Sequence, residues 1–366
     1  MIRWFIKSVR ALILFLVLFT ATSHAAEWLL VTPQQVQRDA LSAWKSEGFS
    51  SVVLLLDETN VTVVKAATAS LDDASIPFHY WIEVGRNVPF ANAHPEWMAA
   101  LGMHEDWQRN FPKAPKANAS EVVKAFPWVP INYKEAFEAH VKRVEQLLRA
   151  APTNHSGVLL DHLQGGPSSC GCGNLQCRWA TDYHMPATGT RAGDDATARF
   201  VRDVQKFIGA KPVVPVWTTE CEHDDLPATR RADRQSTGLC GMVGCATGSC
   251  PKEFAKQWES LTKDHRHPVA LLALHNDFTR TNAAFAQGPA WVPRTIAYLD
   301  DTLREEGKNS FPRARLWLVI QGATRDEERA ARKVAANARA ANVIVSRVPL
   351  DQSFEPRVIK VGNAPR

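Results

Sequence analysis

Asp161 stands where an apolar run stops. The stretch "LLDHLQGGPSSCGCGNLQCRW", residues 159–179, opens on Leu159 and Leu160 and turns polar at Asp161, His162 and Gln164. It then breaks at two glycines and places Cys170, Cys172 and Cys177 within eight positions. A second acid, Glu220, follows another apolar run that ends near Trp217, with Cys221 directly after it and Cys240, Cys245 and Cys250 at regular spacing beyond. Glu83 with Arg86, the triplet His275, Asn276 and Asp277, and Gln321 stand in the same relation to three further runs. Carboxylates and imidazoles exchange protons, amides bind hydroxyls, and thiols form disulfides or hold metals. The chemistry on offer is acid–base work beside a sulfur-rich cluster.

Such groups need a scaffold that gathers them. Apolar, β-branched runs of strand length recur at 28–32, 52–56, 78–84, 157–163, 212–217, 269–275, 316–321 and 343–348. Most are continuous rather than alternating, as strands covered on both faces require. Helical spacing fills the intervals. "PQQVQRDALSAWKSEG" has Pro33 near its start and Gly48 at its end, with Val36, Ala40, Leu41 and Trp44 on one face. "YKEAFEAHVKRVEQLLRAA" repeats the logic with Phe137, Val141, Val144 and Leu148, and "DDATARFVRDVQKFIGA", "PKEFAKQWESLTKD", "VPRTIAYLDDTLREEG" and "TRDEERAARKVAANARAA" follow later strands. The helix least favoured by composition is "NVTVVKAATASLDDA", whose start is β-branched.

Eight strands alternating with helices over this length predict an α/β chain folded as a closed (β/α)8 barrel of the TIM type, one domain over residues 26–366. Long, cysteine-rich loops follow the fourth and fifth strands. In such barrels the loops after the strands gather at one face, so the polar residues ending the strands converge there. Asp57, Glu58, Glu222 and Arg347 belong to that ring too. Helix capping or solvation accounts for Asp57, Glu58 and Arg347, which leaves Asp161, Glu220 and Glu83 as the functional candidates.

Residues 1–25 carry Arg3, Lys7 and Arg10 ahead of a short apolar run, then small residues with Ser23 and Ala25 placed for cleavage. This is the pattern of a signal peptide, and the mature chain is expected in the periplasm or secreted, with no membrane association after cleavage. The net charge of +5 includes those three cations, and the first 25 residues hold no acid, so the remainder carries +2. That balance offers no case for nucleic acid as a partner. With 45% hydrophobic residues the chain can bury a large core.

"FHYWIEVGRN", then "HPEWMAALG", then "INYKEAFEAHVKRVEQLL" leading into "SGVLLDHLQ" resembles the order of elements in a poorly characterised family of bacterial glycoside-hydrolase-like barrels, over residues 78–164. There the fourth strand ends in a DG-hydrophobic-hydrophobic-LD signature. This chain has Ser156 and Gly157 at its start and His162 after the aspartate. The resemblance implies a sugar-related site worked by two carboxyl groups, one protonated to assist the leaving oxygen and one ionised. Asp161 is then the nucleophile or base and Glu220 the acid, with Glu83, Asp277 or Glu222 as substitutes. Arg86, His162, Gln164, His275, Asn276, Gln321, Trp97 and Trp217 are expected to line a carbohydrate substrate. Trp97, Trp107 and Trp128 in the long third loop either stack sugars or pin that loop to the barrel. Trp44, Trp258 and Trp317 are expected to be buried packing.

Export favours disulfides among the seven cysteines, although an odd count leaves one sulfur over. The alternative is a thiolate site for zinc or an iron–sulfur cluster built from Cys170, Cys172, Cys177, Cys221, Cys240, Cys245 and Cys250. The hydrolytic reading needs no cofactor. Against it stands a barrel that binds glycan without cleaving it, or that binds metal or exchanges electrons through its cysteines.

Overall fold

The computed structural model describes residues 25–99, 121–131, 134–163, 196–218, 268–274, 312–322, 324–350 and 355–360, with isolated positions between 292 and 307. In chain order the strands are β1 (Ala26–Val31), β2 (Ser51–Leu55), β3 (Phe78–Glu83), β4 (Glu121–Phe126), β5 (Val158–Asp161), β6 (Val213–Thr218), β7 (Val269–Leu274), β8 (Leu316–Gln321), β9 (Asn342–Ser346) and β10 (Glu355–Lys360). All but β4 and β10 pair in parallel in the order β1-β2-β3-β5-β6-β7-β8-β9, and β9 pairs back onto β1 through Trp28↔Ile344 and its neighbours. The result is the closed eight-stranded barrel that the alternating pattern predicts. The leader, the seven cysteines and the helix predicted after the fifth barrel strand lie outside the described residues.

Alternation along each strand sorts the core into two layers. Leu30, Val53, Trp81, Leu159, Val214, Ala270, Val319 and Ile344 form a cluster made almost wholly of strand residues, which is the barrel interior. Their neighbours Leu29, Val52, Leu54, Tyr80, Ile82, Leu160 and Leu318 face the surrounding helices. Those helices are α1 (Arg38–Ser46), α2 (Val61–Asp73), α3 (Val88–Ala93), α4 (Lys134–Ala150), α5 (Ala196–Ile208) and α6 (Arg325–Ala335). Leu41, Trp44, Val64, Leu71, Phe137, Val144, Phe200, Val204 and Ala331 supply the helical side of the outer layer. Each fully buried aliphatic side chain there contributes about 1.5–3 kcal/mol. This burial explains why α2 forms despite its β-branched start, since tertiary packing outweighs a propensity of a few tenths of a kcal/mol.

Two expectations need correction. The helix predicted from Pro33 onward is split: Pro33–Gln35 is a 3-10 turn, and Val36 and Gln37 are extended before α1 begins at Arg38. The Thr32 N–H donates to Gln35 Oε1 at 2.8 Å, which closes the tight turn on itself. The third loop, read from the sequence as one long connection, contains α3, a second 3-10 turn at Pro95–Trp97, and β4. β4 pairs antiparallel with β10, Val123 opposite Val358, so the C-terminal segment, which the sequence leaves without a role, is its partner strand.

The barrel seam is tied by charge. Arg332 Nε donates to Glu27 Oε2 at 3.0 Å, and Arg347 Nη2 pairs with Glu328 Oε1 at 3.1 Å and also with Glu47. Both guanidinium groups lie over the Phe49 ring. Arg347 is therefore a clasp between the first and last barrel units rather than a solvated charge. No helix among the described residues is long and apolar enough to cross a membrane.

Candidate active site at the barrel mouth

Two residues beyond the inward-facing Trp81 and Leu159, strand alternation puts Glu83 and Asp161 on the same inner face at the carboxyl ends of β3 and β5. They are paired in register. With His162 they form a group whose ligand atoms all lie within 4.8 Å of one another. Asp161 is 1% exposed and His162 3%, while Glu83 is half-buried.

His162 ends β5 by adopting the left-handed region at φ 59°, which is uncommon outside glycine. The turn points its own N–H at Asp161 Oδ1, 2.8 Å away, so one conformation fixes both the chain reversal and the carboxylate. His162 Nδ1 lies 3.6 Å from Asp161 Oδ2. On its other side the imidazole meets the fully buried Trp128 ring edge to face, with centroids 4.9 Å apart at 89°.

The loop after β3 is pressed against this turn. Val84 N–H donates to the Asp161 carbonyl at 2.9 Å and Gly85 N–H to the His162 carbonyl at 3.1 Å. The Gly85 carbonyl accepts from Val129 N–H at 2.7 Å, and Arg86 bridges to Trp128. Asn87 completes the segment by capping α3, its side chain accepting from Phe90 N–H at 2.8 Å. Thus residues 84–87 are held between the end of β5 and the 127–129 segment.

Arg143 supports the cluster from α4. Its Nη1 donates to the Glu83 carbonyl at 2.8 Å, while Nε and Nη2 grip the Glu58 carboxylate at 2.5 and 3.0 Å. Burial pushes the Glu58 carboxyl up, but the hydrogen bond and charge of Arg143 outweigh it and hold the group below the usual range. Under one turn earlier on α4, His140 Nε2 donates to the Val129 carbonyl at 2.8 Å, and burial pushes that imidazole down to about 3, so it is neutral at neutral pH. Sequence reasoning passed over Arg143 and His140. Their signal was position, since both lie on the stripe of α4 that carries Ala136, Phe137, Val144 and Leu147, where charge is costly without a partner.

Of the other expected site residues, Gln321 ends β8 on the inner-face alternation, but its amide is engaged with the segment after β9. Nε2 donates to the Val348 carbonyl and Oε1 accepts from Leu350 N–H, both at 3.3 Å. Trp217 is fully buried in the outer layer between barrel and helices, not on the inner face. Trp97 stacks on His94 at 3.7 Å and packs with Phe90, Met98 and Val129 in a small core belonging to the third loop. Asp57 caps its own turn, accepting from Thr59 and Asn60 N–H. Glu220, Gln164, Glu222, His275, Asn276, Asp277, Trp107 and all seven cysteines lie outside the described residues; Glu220 falls two positions past the end of β6, the strand beside β5.

Two carboxylates this close repel each other, and a shared proton or cation relieves the repulsion. The arrangement can therefore exchange protons with a bound molecule or hold a metal ion.

No protein-family model matches this sequence, and no curated protein does. Among solved structures, the chain is similar to the carboxyl transferase domain from Rhizobium etli pyruvate carboxylase, with 9% identity and a TM-score of 0.37, over 88% of this chain and 39% of that one. The chain thus spans well under half the length of that neighbour.

Proposed function

We propose that this chain is an exported hydrolase that cleaves a poly- or oligosaccharide by paired-carboxylate chemistry at the barrel mouth, with Asp161 as nucleophile or base. The observation that supports it is the register pairing of Glu83 with Asp161 on the inner face, with carboxylate oxygens within 4.8 Å. Carboxyl groups about 5–5.5 Å apart serve retaining glycosidases, whereas inverting pairs stand roughly 6.5–9.5 Å apart. Glu83 is the partner acid this geometry favours, and Glu220, two positions past the end of β6 in sequence, is the other acid the chemistry would use. His162 and Arg86 would bind sugar hydroxyls.

The test is reducing-end release from a panel of polysaccharides by the purified chain and by Asp161→Asn, Glu83→Gln and Glu220→Gln. Cleavage of at least one polysaccharide, falling by about a hundredfold or more in Asp161→Asn, is expected. Undiminished cleavage in that variant would remove Asp161 from the chemistry, and a wild-type chain that cleaves none of the panel would overturn the hydrolytic reading.

A further inference from the structure

We infer that Glu83, Asp161 and His162 together form a binding site for a divalent transition-metal ion of the manganese, iron or zinc class. The inference goes beyond the hydrolytic reading and stands on the cluster's geometry, whether or not the chain cleaves a glycan.

The donor set is two carboxylate oxygens and one imidazole nitrogen, the mixed O/O/N combination that suits manganese, iron and zinc rather than calcium, which prefers oxygen alone. Around an ion bonded at about 2.1 Å, neighbouring ligand atoms lie roughly 3–3.4 Å apart and opposite ones about 4.2 Å. The cluster's ligand atoms already lie within 4.8 Å of one another, so small side-chain rotations bring them to an ion. Charge agrees as well: the two acidic side chains of the cluster supply the anionic oxygen donors that a divalent cation favours.

The ligands are also held in place before any ion arrives. Asp161 Oδ1 accepts from His162 N–H, which leaves the Oδ2 side of the carboxylate turned toward the imidazole. The Trp128 ring fixes the plane of His162, and Arg143 ties down the carbonyl of Glu83. Such supporting contacts are what orient metal ligands and tune their affinity. An ion held here occupies both carboxylates that glycoside cleavage would need, so metal and proton compete for one position.

Mn²⁺ is the probe to use, because oxygen and nitrogen donors accept it while thiolates favour zinc and iron–sulfur clusters, which keeps the seven cysteines out of the measurement. The full mature chain is stripped with chelator and titrated with Mn²⁺, and the loss of the free-ion electron paramagnetic resonance signal is followed with no sugar present. One Mn²⁺ per chain is expected, displaced by added Zn²⁺, with affinity weakened by about a hundredfold or more in Asp161→Asn and in Glu83→Gln. Circular dichroism establishes that each variant is folded, and the half-buried Glu83 offers a substitution that leaves the core intact. Absence of binding by the folded wild-type chain, or binding undiminished in both variants, would overturn the site. Because the readout needs no substrate, its failure is separable from failure of the cleavage assay.

Discussion

Gly85 and His162 meet backbone to backbone: the Gly85 N–H donates to the His162 carbonyl at 3.1 Å, and a β-carbon on residue 85 would stand 2.2 Å from that same oxygen. A side chain could swing away from such contact, but a backbone oxygen at the end of β5 cannot. Gly85→Ala must therefore move either the β3 loop or the turn that sets Asp161 and His162. We expect a loss of about 1–3 kcal/mol in urea unfolding, the range for overpacking a close contact, together with weaker Mn²⁺ binding. An unchanged unfolding midpoint would show that the two loops are not pressed together.

Arg143 separates support of the site from simple surface pairing. Its side chain is 10% exposed while that of Glu58 is 51% exposed. Glu58→Gln should cost no more than about 1 kcal/mol, as exposed ion pairs do. Arg143→Met leaves both the Glu58 carboxylate and the Glu83 carbonyl without that donor and should cost more, about 1.5–3 kcal/mol. Because the Glu58 carboxyl is held below its ordinary range, the pair's contribution is present above the unfolded pKa near 4.5 and is lost as pH falls through the folded value. Denaturant midpoints at neutral and acid pH check both statements; equal losses for the two substitutions at neutral pH would mean that Arg143 does nothing for Glu83.

The barrel was legible because its strands are continuous apolar runs with polar ends, and Asp161 stood out as the break in one of them. The same continuity hid the orientation of individual residues. Trp81 and Trp217 sit in runs of equal apolarity, and only parity within the strand sends Trp81 inward and Trp217 toward the helices. The β4 and β10 pairing was invisible for another reason: "EVVKAF" and "EPRVIK" are short, interrupted by charge, and become strands through each other across more than two hundred residues. His162 gave no local sign of its left-handed turn. The turn meets Gly85 of the loop after β3 backbone to backbone, a tertiary contact that no local sequence records.

Buried histidines make the chain acid-labile in a defined window. His79 lies inside the amino end of the barrel, stacked on Trp28 at 4.4 Å and edge-on to Trp317 at 5.6 Å. Burial pushes it down to about 3, with the positive field of His155 adding to the effect; burial likewise takes His155 down to about 4. In the unfolded chain each titrates near 6.5, so below that pH the unfolded state binds protons that the native state refuses. Stability is full above pH 6.5 and declines as pH falls toward 4, by up to about 1.4 kcal/mol per pH unit for each histidine. His79→Leu, which cannot take a proton, should make that decline shallower by one proton's worth in urea midpoints measured from pH 7 to 4. A slope identical to wild type would show that His79 charges inside the barrel without penalty.

Lys124 imposes a dependence of the same sign at alkaline pH. It is 3% exposed in β4, and its ammonium donates to the carbonyls of Glu96 and Met98 at 3.0 and 2.7 Å, fastening the 3-10 turn that carries Trp97. Burial pushes the amine down to about 7 from its ordinary 10.5, the charge of Glu96 opposing the shift. Between those values the unfolded chain holds a proton that the folded chain has released, so stability rises with pH across the window; below about 7 both states are charged and the dependence vanishes. Lys124→Met should flatten the rise between pH 7 and 9.5 while leaving two carbonyls without their donor. Amide exchange at Ala99, whose N–H donates to the Trp128 carbonyl at 2.8 Å, should then accelerate, because the turn loses its anchor to β4. A pH slope that survives the substitution would assign the alkaline gain to another group and leave Lys124 as packing alone.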